Sequence, residues 1–180
     1  AMDQPTIDGV NTYFVAKAAA ADGLKVAISG LGGDELFGGY NTFSQVPALV
    51  SGLGVVPGIA GLGRLVRTLS APLGGPIMPP KAPGLLEYCS RYGDAYLLRR
   101  ALYMPWELAA VLGQDMAREG LAALNVRQRL DHGQSAIREP KAKVAALEMS
   151  WYMRNQLLRD ADWAGMAHGL EIRVPLVDVN

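Results

Sequence analysis

The chain has 180 residues, 50% of them hydrophobic, with 17 lysines and arginines against 17 aspartates and glutamates. That length suffices for one domain with a real core, or for a large piece of a bigger one. Zero formal charge argues against a general nucleic-acid binder, which needs a basic excess to meet phosphate, and the apolar content excludes disorder. A single cysteine, Cys89, leaves no disulfide framework within the chain and fits a reducing, cytoplasmic compartment.

The start, Ala-Met-Asp-Gln-Pro-Thr, has neither a basic n-region nor an apolar h-region, so no signal peptide is expected. Ala1 before Met2 reads as a cloning remnant, which suggests an excised piece of a longer protein. Residues 6–22 are predicted helical, capped by Thr6 or Asp8, with Val10, Phe14, Ala18 and Ala21 at helical spacing. Gly23 is a natural terminator. Leu24 to Ile28 is a short apolar, β-branched run and reads as a buried strand.

Next comes Ser29-Gly30-Leu31-Gly32-Gly33-Asp34-Glu35-Leu36-Phe37-Gly38-Gly39-Tyr40, a strand end, a glycine loop and an acidic helix start. From Leu36 to Gly63 there is no charged residue. The prolines and glycines of this stretch would leave backbone groups unpaired in lipid, so it reads as a buried helix–turn–helix rather than a membrane span. Further helices are predicted at about 42–52, 58–70, 84–91, 93–101, 105–112, 115–124 and 140–158. Five prolines and two glycines between Ala71 and Pro83 mark a linker. In 140–158, Val144, Leu147, Trp151 and Leu158 share a face. Pro175 keeps Val174 out of helical space, so Leu170 to Val177 reads as extended.

The expected fold is thus mainly α, with one or two short strands. Residues 1–40 carry the strand, loop and helix of a nucleotide site, and 41–180 form the helical part. A lone strand near the start needs partners, which are expected from outside the chain or from another copy. That suggests the C-terminal portion of an α/β domain.

The glycine loop is the candidate site. Ligands of open α/β sheets bind at strand carboxyl ends, and glycines let backbone N–H groups approach an anion. Asp34 and Glu35 beside such an anion call for a cation, normally Mg2+. There is no Gly-x-x-x-x-Gly-Lys-Ser/Thr sequence, and Glu35 stands where the dinucleotide pattern has its third glycine. The competing reading is a structural turn capped by Asp34. In that case the chain is a helical interaction module, with the uncharged segment 36–63 as its contact face.

The same twelve residues resemble the signature of the synthetase domain of glutamine-hydrolysing asparagine synthetases. The run Arg159-Asp160-Ala161-Asp162, followed by Met166 to Asp178, is similar to a second signature of that family, and Asp3-Gln4-Pro5-Thr6 also fits it. The middle, about 41–138, agrees only in being helical. The resemblance implies a domain of the α/β ATP-pyrophosphatase kind. ATP would activate the β-carboxylate of aspartate as an acyl-adenylate, and ammonia from a glutaminase domain of the same chain would attack it. It implies nucleotide contacts for Ser29 and Gly30, with Gly32 and Gly33 completing the binding loop. Asp34 is implied as Mg2+ ligand, and Glu35 stands beside it as the second catalytic acid. A homodimer is a further expectation.

Departures from the family pattern bear on the substrate. The family's Ser-Gly-Gly-x-Asp-Ser loop and N-terminal cysteine are not in this sequence, so these residues alone are expected to be inactive. Leu31 stands where several relatives carry an acid, and Val179-Asn180 where some carry a lysine. Relatives that amidate other carboxylates, including cell-surface sugar acids, share the motifs. Cys89, placed inside helix 84–91, reads as a small buried apolar group. His132 and His168 lack zinc-site spacing; His132 is expected exposed in a turn, and His168 packed or hydrogen-bonded. Glu171 and Arg173, two apart in an extended run, face the same side and are expected to pair, the competing reading being an Arg173 that faces substrate phosphates; Arg159, Asp160 and Asp162 are expected to form a buried network.

Overall fold

A computed structural model describes residues 6, 8–70 and 81–178. The expectations for Asp3–Pro5, for most of the 71–83 linker and for Val179-Asn180 lie outside those residues. In chain order the helices are α1 (Asp8–Ala21), α2 (Gly33–Phe37), α3 (Thr42–Gly52), α4 (Ile59–Ser70), α5 (Tyr92–Arg100), α6 (Leu108–Leu112), α7 (Gln114–Leu124), α8 (Val126–His132), α9 (Pro140–Leu147) and α10 (Leu158–Met166). A π-helical stretch, Glu148–Leu157, joins α9 to α10, and the strands are β1 (Val26–Ile28) and β2 (Glu171–Arg173). The protein is therefore mostly helical with two short parallel strands, as expected, but the run around β1, read as buried, leaves Leu24, Val26 and Ile28 exposed. No described helix is long and apolar enough to cross a membrane.

Two compact units emerge, one taking its described residues from 1–40 and 148–180, the other from 41–147. Within the first, β1 and β2 pair in parallel with Val26 opposite Glu171, Ala27 opposite Ile172 and Ile28 opposite Arg173. This corrects the expectation that the strand's partner lies outside the chain. Three residues per strand are too few to announce a sheet by periodicity, and the partner arrives only after the whole crossover. The ladder is extended at both ends, where Glu171 N–H donates to the Lys25 carbonyl at 2.9 Å and Ser29 N–H to the Arg173 carbonyl at 2.8 Å.

Helix α1 ends as the sequence suggests. Gly23 adopts φ 85°, its N–H reaches the Ala20 carbonyl and the Leu24 N–H reaches the Ala19 carbonyl, which is a Schellman motif. Its buried face is a correction. Gly9 and Ala16 face inward, while Val10 and Phe14 are exposed. The reason is close approach: a Cβ on Gly9 would lie 2.8 Å from the Trp163 ring of α10. Small residues admit that ring, so packing overrides the apolar periodicity. At α10, Gly165 is likewise confined, with the Leu170 carbonyl and the Ile172 side chain against it.

In the second unit, α3 packs on α5 and α9, and α5 on α8. Tyr88, Leu98 and Met104 form the core, with Leu97, Ala101 and Trp106 against it. The buried Asp94 carboxylate accepts two hydrogen bonds from Arg127, at 2.6 and 2.5 Å. Buried Glu87 accepts from Arg67 at 2.7 Å and Arg64 at 3.3 Å.

Other expectations are corrected here. Residues 84–91 are turns after a short 3-10 segment, Ala82–Gly84, so Cys89 is buried but not helical. Tertiary contacts claim the segment: Gly84 lies under the Trp106 ring, Glu87 holds the two arginines, and the Cys89 thiol donates to the Leu86 carbonyl at 3.2 Å. Helix α8 was not anticipated; it begins at the left-handed Asn125 and places His132, exposed, in its last turn. The helix expected to end at 158 continues to Met166 through the π-helical stretch. Finally, the uncharged segment buries Thr42, Phe43 and Val46, but Leu53, Val55, Val56 and Leu62 are exposed.

Candidate functional site

Strand β1 delivers the glycine loop. The Ser29 N–H bond to Arg173 fixes the loop's first residue to the sheet. The Ser29 hydroxyl accepts from the Leu31 N–H at 3.3 Å, and the Gly33 N–H donates to the Gly30 carbonyl at 3.0 Å, closing a tight turn. Gly32 has φ 94°, a conformation that glycine alone adopts freely. A Cβ there would also come within 2.9 Å of the Val177 side chain, so the loop is gripped by the turn that follows β2.

A cavity of about 520 Å³ opens at the carboxyl end of β1. Ser29, Gly30 and Leu31 form part of its wall, with Asp8 of α1, Asp160 of α10 and otherwise mostly apolar side chains. Its size falls in the range of small-molecule sites. Both acids of the wall are already engaged. Asp8 accepts from the Tyr152 hydroxyl at 2.6 Å and from Gln156 at 3.3 Å. Asp160, 1% exposed, accepts from the Thr6 hydroxyl at 2.5 Å and the Trp163 indole N–H at 3.0 Å, with Arg159 at 4.0 Å. Asp162 is exposed.

The two adjacent acids of the motif part company. Asp34 is exposed, and its carboxylate lies directly over Gly39, where a Cβ would overlap it. The N–H groups of Gly38 and Gly39 both donate to the Asp34 carbonyl at 2.9 Å, folding the end of α2 back on its start. Glu35 is 1% exposed and accepts from the Tyr40 hydroxyl at 3.0 Å. Burial, and then the Glu35 hydrogen bond, push the Tyr40 phenol above its ordinary pKa, so it stays a donor throughout the neutral range. The Tyr40 ring meets Tyr152 edge-on, centroids 5.9 Å apart at 83°.

Among the described residues no group of three or more His, Cys, Asp or Glu side chains could hold a metal. Mg2+ needs no such cage: it commonly takes one or two carboxylates and draws its other oxygens from phosphates and water. Asp34 suits that donor set. Glu35 is committed to Tyr40.

Of the residues marked in the sequence, Ser29 and Gly30 line the cavity, and Gly32 and Gly33 pack beside Leu176 and Val177. Asp34 is exposed on the next turn and Glu35 is turned inward. The sequence reading missed Asp8, Tyr40 and Tyr152. Tyr40 closes the quoted motif, which was a signal; nothing in the sequence joins Tyr152 to it. Glu171 and Arg173 pair at 2.9 Å on the surface, as expected, and Arg173 holds the Glu171 carboxyl below its usual range. The His168 ring packs on Tyr13, centroids 4.4 Å apart.

Comparison with known proteins agrees with these motifs. The profile of a family described as asparagine synthase matches residues 1–180. The chain is 30% identical to asparagine synthetase (glutamine-hydrolyzing) 1 of Bacillus subtilis strain 168, over 98% of its own length and 27% of that protein's. It is 28% identical to proteins of Mycobacterium bovis and Mycobacterium tuberculosis H37Rv, both provisionally named glutamine-hydrolyzing asparagine synthetases, over 98% of the chain and 26% of each relative. The chain thus spans about a quarter of the length of these relatives. No solved structure matches.

Proposed function

The chain belongs to the asparagine synthase family, and on that premise we propose that it forms the nucleotide-binding part of a cytoplasmic, ATP-dependent amidotransferase. The reaction is activation of the aspartate β-carboxylate by ATP, releasing pyrophosphate, followed by attack of ammonia on the aspartyl-adenylate to give asparagine and AMP. The ammonia comes from glutamine, through a glutaminase domain of the same polypeptide. Leu31 leaves room for a different acceptor, such as a sugar acid. A homodimer is the expected assembly, without nucleic acid or membrane as partner.

The observation that carries this reading is the placement of Ser29 and Gly30 in the wall of a 520 Å³ cavity at a strand's carboxyl end. The mostly apolar wall suits a nucleobase, and the exposed Gly30 backbone and Ser29 hydroxyl supply polar contacts to the nucleotide. Gly32 and Gly33 let the loop close tightly enough to present them. Asp34 would hold Mg2+ together with the phosphates. The ion supplies charge neutralisation on the phosphate oxygens. Glu35 acts beside Asp34 by fixing the turn that carries it.

The test is ATP–pyrophosphate exchange and MgATP binding by the natural polypeptide that contains these residues. Asp34→Asn should lower exchange by at least about a hundredfold at unchanged folding, the scale of losing a group that stabilises developing charge. Exchange near wild type in that variant would sink the assignment. A helical interaction module with no catalytic role predicts no saturable MgATP binding at all. These 180 residues contain no Ser-Gly-Gly-x-Asp-Ser sequence and by themselves are expected to be inactive in exchange.

A further inference from the structure

We propose that Tyr40 is a positioning residue for the Asp34 carboxylate, acting through a bracket of two tyrosines that ties the glycine-rich turn to the wall of the cavity. The inference rests on the nucleotide-site reading above. What limits the exposed Asp34 carboxylate is Gly39, lying directly beneath it. The direction of Asp34 therefore depends on where the chain places Gly39. Two N–H bonds to the Asp34 carbonyl fold the chain back, and Tyr40, the next residue, anchors it.

That anchor has two parts. The Tyr40 hydroxyl donates to Glu35, a carboxylate with 1% exposure and a direct chain neighbour of Asp34. The Tyr40 ring stands edge-on against Tyr152 of the π-helical stretch. Tyr152 in turn donates to Asp8, and Asp8 lines the same cavity as Ser29 and Gly30. A path of hydrogen bonds and ring contact thus runs from the turn bearing Asp34 to the opposite element of the cavity wall. Helical segments of π type are recurrent at functional sites because the extra residue re-aims side chains. Tyr152 lies within such a stretch. Glu35 is then the fixed post of the bracket, and Asp34 the acid it presents.

Removing the Tyr40 hydroxyl leaves a buried carboxylate without its donor, and Glu35 will swing toward water, carrying the turn with it. The effect expected is loss of metal affinity more than loss of chemistry. In the natural polypeptide, Tyr40→Phe should raise the Mg2+ concentration for half-maximal exchange about tenfold, the lower end of the cost of losing an outer-shell partner. Exchange at saturating Mg2+ should stay within about twofold of wild type, as for removal of binding that ground and transition states share. Mn2+ electron paramagnetic resonance reads the same change without turnover, and should show weaker Mn2+ binding in Tyr40→Phe and none beyond background in Asp34→Asn. Should Tyr40→Phe not fold, Tyr152→Leu removes the ring brace while leaving the Tyr40–Glu35 bond, and should weaken Mn2+ binding by less than the roughly tenfold loss that removing an outer-shell partner causes.

An unchanged Mg2+ and Mn2+ dependence in folded Tyr40→Phe overturns the inference while leaving the nucleotide site intact. So does a parallel fall of maximal rate and melting temperature at unchanged half-saturation, which marks a purely structural tyrosine. If the wild-type polypeptide shows neither exchange nor Asp34-dependent Mn2+ binding, the functional reading itself fails and the inference falls with it.

Discussion

Asp160 offers the sharpest test of the packing around the cavity. Its carboxylate is 1% exposed and holds the Trp163 indole N–H at 3.0 Å and the Thr6 hydroxyl at 2.5 Å. Asp160→Ala strands the indole donor in a buried place, which costs about 2 kcal/mol, and loses a charge-assisted bond worth about 1.5 kcal/mol. Arg159 adds little, because its nearest approach is 4.0 Å and its side chain keeps contact with water. Some relaxation brings the total to about 3 kcal/mol, or a fall of about 6–12 °C in melting temperature for a chain of this size. Asp160→Asn should cost only about 1 kcal/mol, because its Oδ1 still accepts from Trp163 and its amide donates to the Thr6 oxygen. The assay is urea unfolding followed by tryptophan fluorescence, which also reports the Trp163 environment. If Ala costs less than about 0.5 kcal/mol, or Asn costs as much as Ala, the hydrogen-bond reasoning is wrong.

Two further expectations concern stability. Arg127→Met should destabilise the unit formed from 41–147 by about 2–3 kcal/mol, because it leaves the buried Asp94 without its two-pronged partner. Chemical denaturation checks it, and adding Asp94→Asn should recover more than half of the loss. The second concerns pH. Since the Tyr40 phenol is held above its ordinary value, folded and unfolded chains bind the same proton below about pH 10. Above that, the unfolded phenol ionises first, so the folded state binds more protons and stability falls as pH rises. Urea midpoints at pH 9 and pH 11 should therefore converge more closely in Tyr40→Phe than in wild type, although Tyr88 and Tyr92, also raised by burial, keep part of the slope. An identical slope in both proteins would remove Tyr40 as a source.

Local chemistry was readable from the residues alone. Gly23 ends α1 because a left-handed residue there satisfies the last carbonyls, and Ser29 to Gly33 makes a loop because Gly32 needs positive φ. The family was legible for the same reason: a contiguous motif whose backbone must bend in one way leaves little freedom in residue choice. Tertiary structure decided what lies far apart in the chain. The partner of β1 is three residues near position 171, too short to carry a pattern. The inward face of α1 was set by the Trp163 ring, which selects small residues over apolar ones. Asp34 and Glu35 look equivalent in sequence, yet one faces solvent and the other is buried under Tyr40. Successive helical side chains point about 100° apart, so two neighbouring acids meet different surroundings, and only the folded chain says which one is left to meet a ligand.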